Sequence, residues 1–335
     1  MKPNHTTPIS SIAVPTSLAA GQAKSKIPCR DPLTPSIFHE PWWLESVTGG
    51  DFAIVEVTAG KTVGRLPVYL RSRFGLREMR MPYLTPFLGP AINEGEGSAK
   101  NRFLKRRAIT LDLIDKLPRV SSQYIKCHRE VPDVIPFQER GFRTYVQFTH
   151  EIEAEDEDSL WNNMRNKTRN VIRRAEEQVS IKQITDPSEF IWIYKKNLAE
   201  RGLRNELDFT LCRQVIAACL DRERGKILGA YQSSGNIVAA NFCVWDQTSA
   251  FYLLSTRGND AGNGATSLLL WEAIKTSASR GLRFDLAGLG SKGSVLLYSG
   301  FGGVISSRYV ALRTTLPIRL LAEVKALFRP DNYFY

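Results

Sequence analysis

Between Arg257 and Gly264 the chain reads Arg-Gly-Asn-Asp-Ala-Gly-Asn-Gly, directly after an apolar run and directly before an amphipathic one. A glycine-bearing loop that opens a helix after a strand presents backbone N–H groups without intrahelical partners. With the positive end of the helix dipole, those groups suit a phosphate or pyrophosphate. Arg257, Gly262, Asn263, Gly264 and Ala265 are therefore candidate anion-binding positions; the alternative is an ordinary turn whose glycines serve backbone geometry. Asp285 interrupts an apolar strand in RFDLAG. A carboxylate there needs a partner, and it reads either as a proton acceptor or as half of a structural ion pair. Tyr298, in SVLLYSGFGG, offers a phenol of ordinary pKa about 10 as a proton donor, or a ring packed near Phe301. Arg165, Arg169 and Arg173 recur at i, i+4 and i+8 on one stripe of a helix, and Lys167 and Arg174 spread the charge. That stripe faces either a phosphate-bearing substrate or solvent.

These positions need elements to hold them. Apolar and alternating runs predict strands at 52–57, 63–70, 122–127, 142–149, 179–184, 226–232, 236–245, 250–256, 282–287 and 304–313. Helices are predicted at 97–117, around 161–178 after the acidic run 151–160, and at 188–201, 208–222 and 264–280. Pro67 inside the second strand implies an edge or a bulge. Residues 288–293, GLGSKG, match the glycine fingerprint of dinucleotide folds, but the element that follows is short and broken by Gly300. No acidic residue stands about 20 positions on, where a ribose would need one.

The chain has 335 residues, 43% hydrophobic and 24% charged, with a formal net charge of +11. Those fractions are globular, and the charge calls for an anionic partner without choosing it. No apolar run approaches the roughly 18–20 residues that span a bilayer. Five scattered cysteines and four scattered histidines make neither a disulfide framework nor a metal site, and a reducing, cytoplasmic setting is the simplest reading. Residues 1–36, rich in Pro, Ser, Thr and Ala, read as a disordered tail, with a signal peptide as the alternative. Residues 316–335 carry a helical apolar stripe that docks on the body or lies on a membrane.

The order of strand, glycine loop, helix, strand and Tyr-bearing element resembles the donor-binding half of the GNAT acyltransferase superfamily. With the upstream basic helix it resembles most closely the FemAB-like branch. The resemblance covers about residues 37–315. It implies a mixed α/β (α+β) fold of two tandem GNAT-like units with mixed, splayed sheets. The first unit would be 37–150, the second 151–315 with the donor site, and 316–335 would return to the first. It implies acyl-CoA (acetyl-CoA) as donor, with no metal, on the Arg257–Ala265 loop. The acceptor would be an amine on an amino sugar, a peptidoglycan precursor or a polysaccharide intermediate. Tyr298 would protonate the leaving thiolate, Asp285 would take the amine proton, and Arg165, Lys167, Arg169 and Arg173 would lie near the substrate. The loop departs from the GNAT pattern, its Arg standing two residues early. Tyr298 also stands where FemAB-type peptidyltransferases carry a Lys three residues before Phe-Gly. An aminoacyl-tRNA donor remains the second reading, and a non-catalytic basic-cleft binding protein the third. The resemblance leaves open a lipid-linked or phosphorylated acceptor and a peripheral membrane contact, and points away from DNA.

Overall fold

The computed structural model describes residues 31–73, 75–94, 98–205, 207–262 and 264–315. The chain runs α1 (Pro41–Thr48), β1 (Phe52–Ala59), β2 (Thr62–Arg73), β3 (Leu76–Arg80), β4 (Ala91–Asn93), α2 (Ala99–Asp115), β5 (Ser122–Lys126), α3 (Ile135–Glu139) and β6 (Arg143–Ile152). It continues through α4 (Glu157–Asn163), α5 (Asn166–Glu176), β7 (Val179–Ile184), α6 (Pro187–Glu200), α7 (Phe209–Asp221), β8 (Gly225–Gln232), β9 (Ile237–Trp245) and β10 (Ser249–Arg257). The last elements are α8 (Gly264–Ala278), β11 (Arg283–Asp285), α9 (Lys292–Tyr298) and β12 (Val304–Thr314).

Twelve strands make one mixed sheet in the order β1-β2-β3-β5-β12-β6-β11-β10-β9-β8-β7, with β4 on β2. The last strand enters the middle: β12 pairs antiparallel with both β5 and β6. Pro67 falls between the stretches of β2 that β4 and β3 pair, residues 63–65 and 69–73. On its other side Pro67 faces Ile54 of β1 in an unbroken register, so β2 is neither the expected edge strand nor bulged at this proline.

Helices cover both faces. Trp271, Leu268 and Ile274 of α8 pack with Phe284, Tyr252 and Ile172 on one side. On the other, Phe190, Ile216 and Phe242 pack with Phe251 and with Ile37, Phe38 and Trp43. Residues 37–48, which the sequence reading gave to the first unit, thus bury their aromatic side chains against the second. Pro41 occupies the first turn of α1, where a missing N–H costs nothing.

Three sequence expectations need correction. The basic helix is two helices, because Met164 is extended (ψ 152) and Arg165 N–H donates to Gly300 O at 3.0 Å. Arg165 is therefore the N-cap residue of α5, and only Arg169 and Arg173 share its helical stripe. Short elements β3, β4, α1 and α3 stand where no element was expected. Of the supposed tail, residues 31–36 form a turn with Ser36 buried. Its first thirty residues, and the expected terminal helix 316–335, lie outside the described residues.

Candidate active site

β10 and β11 run parallel and pair only at Ser249↔Arg283, Ala250↔Phe284 and Phe251↔Asp285. Beyond that point they part, and the hydrogen bonds show why. β10 stays with β9 as far as Arg257, across a bulge between Tyr252 and Leu254. The chain after β11 stays with β6: Leu286 N–H donates to His150 O at 3.0 Å and Leu289 N–H to Phe148 O at 3.0 Å. Each strand follows a different neighbour, and a wedge opens between them.

Above the wedge lies the glycine loop. Gly258 N–H is tied to Val238 O at 2.8 Å, Gly262 takes φ +54, and α8 begins at Gly264. Arg257 is exposed at the end of β10. A Cβ on Gly264 would stand 2.8 Å from Ala175 Cβ, so the absent side chain also lets α8 cross α5 closely. Ala265 is buried beneath the loop. Asn263 lies outside the described residues.

The Phe-Gly-Gly turn after Tyr298 is a packing device. A Cβ on Gly300 would meet Thr168 Oγ1, one on Gly302 would stand 2.9 Å from Asn163 O, and one on Gly303 would run into Glu151 O. The basic helix is thereby seated on both α8 and this turn. Its charges are unequal. Arg169 is held by Trp161 O and Asn166 Oδ1, and Arg173 lies 5.3 Å over the Trp161 ring. Arg165 and Lys167 are exposed at its first turn.

The structure does not put Tyr298 and Asp285 on one face. Tyr298 meets Tyr252 edge-on, ring centroids 6.2 Å apart, and Tyr252 in turn adjoins Phe284. Burial, with Cys243 close by, pushes its phenol up to about 12. Asp285, the next residue after Phe284, points to the opposite side. There it accepts from Thr149 Oγ1 (2.5 Å), Ala287 N–H (2.8 Å) and Arg308 Nη2 (2.9 Å). Arg308 also donates to Glu151 at 2.5 Å. Burial raises the Asp285 pKa against the pull of Arg308 and Thr149. Asp285 is 1% exposed and its oxygens are engaged, so it anchors the wall of the site more directly than it offers a free base.

That wall borders an open cavity of about 1000 Å³. Tyr124 and Lys126 of β5, Tyr145, Gln147 and Thr149 of β6, and Arg308 of β12 line it, and Ala287–Gly290 closes the side toward the wedge. Ala287 holds φ +56, a left-handed conformation costly for a residue with a Cβ. Its N–H bond to Asp285 supports that turn. The sequence reading did not select this cavity. The alternation that puts Tyr124 and Lys126 on one face was legible, but their meeting with Tyr145 and Arg308 depends on β12 entering between β5 and β6.

A mixed sheet whose adjacent parallel strands part below a glycine loop that opens a helix has the GNAT architecture. Residues 162–293 match the family model of the acetyltransferase (GNAT) domain. The structure of FemX superposes with a TM-score of 0.63 at 12% identity, over 86% of this chain and 95% of that one. A conserved protein of unknown function from Bacteroides thetaiotaomicron superposes with a TM-score of 0.52 at 12% identity, over 85% and 92%. No curated protein matches the chain. Residues 162–293 thus match a GNAT domain, in a chain whose fold is similar to that of FemX. Among the described residues no helix is long and apolar enough to cross a membrane, and no group of three His, Cys, Asp or Glu stands together for a metal.

Proposed function

We propose that this protein transfers an acyl group from acyl-CoA to a primary amine, on an amino sugar, a peptidoglycan precursor or a polysaccharide intermediate. The parting of β10 from β11 carries the reading. It frees main-chain groups of β10 past Phe251 to hold an extended donor arm. One of these N–H groups, near the bulge, would polarise the thioester carbonyl. The pyrophosphate would rest on the 258–262 loop and the first turn of α8, beside Arg257. The acceptor would enter through the cavity on the Arg308 face, opposite Tyr298. A phenol raised to about 12 stays protonated at neutral pH, so Tyr298 would meet the leaving sulfur as a hydrogen-bond donor and supply its proton. Asp285 would fix Thr149, Ala287 and Arg308 around the acceptor.

A thermal-shift titration with acetyl-CoA, longer acyl-CoAs and free CoA tests the donor, because a ligand of the native state raises Tm with concentration. A saturable shift that Arg257→Glu abolishes is expected. Arg257 is exposed, whereas a change at Gly264 would also disturb the α5–α8 packing. No shift with any CoA species overturns the CoA donor. The second reading, an aminoacyl-tRNA donor, is favoured by exposed Arg165 and Lys167 at the first turn of α5 and by the net charge of +11.

A further inference from the structure

Lys126 is the one lysine on the cavity wall. Its side chain forms no hydrogen bond or ion pair with another described residue. Every strand around it brings a group to bear. Its own strand brings Tyr124, which shares a hydrogen bond with Tyr145 of β6. β6 also brings Gln147, β12 brings Arg308, and β11 brings Asp285, whose charge reaches the amine. Main-chain pairing fixes the position: Lys126 faces Val310 in the β5–β12 register, and Val310 faces Tyr145. Lys126, Tyr145 and Arg308 therefore stand on one face of adjacent strands. Asp285 is paired with Phe251 at the last rung before the wedge opens. The amine thus looks into the cavity near the point where an acceptor would meet the thioester. Arg308 is spent on Asp285 and Glu151, and Asp285 on Arg308, Thr149 and the Ala287 N–H. The two tyrosines are pushed above their usual range by burial and are poor proton acceptors.

We infer that Lys126 is the residue that takes the proton from the acceptor's ammonium group; the inference rests on the amine-acyltransferase reading above. Neutral Lys126 removes one proton and leaves a free amine. The amine attacks the thioester carbonyl, the C–N bond forms and the C–S bond breaks. Tyr298 gives its proton to the departing thiolate and is reprotonated from solvent, while the second nitrogen proton is released to solvent on the cavity side. The proton on Lys126 returns to solvent through the cavity mouth. Burial of the amine supports this role, because it lowers the Lys126 pKa and only part of the fall is offset by Asp285. The assignment does not depend on the leaving group, since the ammonium loses its proton before attack.

The test pairs activity with a direct titration of the full chain. Transfer from acetyl-CoA to glucosamine is followed across about pH 6–10 for wild type, Lys126→Met and Lys126→Arg, with the acetyl-CoA thermal shift read in parallel. Loss of a proton acceptor lowers kcat/KM by roughly 10²–10⁴-fold in both variants and moves the acid limb to the acceptor's own ionisation, while the thermal shift persists. Competitive labelling with trace acetic anhydride, read by mass spectrometry, should give Lys126 a midpoint below that of exposed Lys105. A Lys126→Arg enzyme with wild-type rates and acid limb, or a Lys126 midpoint equal to that of Lys105, overturns the inference and leaves acyl transfer standing. Absence of both thermal shift and transfer in wild type overturns the two together.

Discussion

Arg308 holds two carboxylates in the middle of the sheet, and its own side chain is 5% exposed. Removing one partner from such a cluster leaves uncompensated buried charge. Arg308→Met is therefore expected to cost about 3–5 kcal/mol in denaturant titration, and Asp285→Asn less, since the guanidinium keeps Glu151. The raised pKa of Asp285 fixes a sign. Its folded state holds the proton more tightly, so its contribution is present below the unfolded pKa of about 3.9 and is lost as pH rises through the folded value. The stability gap between wild type and Asp285→Asn should narrow with rising pH, and a widening gap would show that Arg308 outweighs burial. Lys126, whose pKa is lowered, behaves in the opposite sense. Its folded state releases the proton more readily, so wild type loses stability relative to Lys126→Met as pH falls from the unfolded value of about 10.4 through the lower folded value. Melting both proteins across that interval checks it. Tyr298→Phe should lower kcat roughly 100-fold or more with little change in KM; steady-state kinetics decide. The sequence made Tyr298 and Asp285 visible because each breaks a local pattern. SQYIK contains nothing unusual, and Lys126 acquires meaning only once β12, more than a hundred residues on, enters between β5 and β6 and brings Arg308 beside it.

Among the elements, the contact of α5 with α8 couples the basic helix to the glycine loop. Gly264 has no unusual backbone angle; its constraint is Ala175 Cβ, 2.8 Å from where a side chain would begin. Gly264→Ala should cost about 1–3 kcal/mol by overpacking. Ala175→Gly in the same chain should return part of that cost despite the roughly 1 kcal/mol penalty of a helical glycine. A double-mutant cycle with a coupling of about 0.5–3 kcal/mol is the expected result, and strict additivity would mean that the helices do not meet there. Most strands and helices were legible because their apolar periods are clean. The break at Met164 was not, because both sides of it are good helix sequence and the interruption is imposed by a hydrogen bond from Arg165 to Gly300. α1 carried a readable signal in Pro41, a residue suited to a helix start. Its burial against the second unit comes from the tertiary fold.

Across the whole molecule, charge and topology answer different questions. The sequence carried the α/β class and the glycine loop before α8 through local order. It did not carry the continuity of the sheet, because β12 pairs with strands formed from residues 122–126 and 143–152. That continuity sets the cavity lined by Lys126 and Arg308 beside the wedge. The net charge of +11 acts over a longer range and bears on which donor is used. Acyl-CoA offers a few phosphates to one loop, whereas tRNA lays a polyanion across the surface. Arg165 and Lys167 are exposed at the first turn of α5, while Arg169 and Arg173 are partly engaged by Trp161. If tRNA is the donor, Arg165→Ala and Lys167→Ala should each weaken its binding and reduce the slope of log K against log salt by about 1. The acetyl-CoA thermal shift should be unchanged in both. If acyl-CoA is the donor, tRNA binding should be weak and insensitive to either substitution, and Arg257→Glu should remove the acetyl-CoA shift instead. Filter-binding titrations over a salt series, alongside that shift, separate the two donors by which set of cations each one needs.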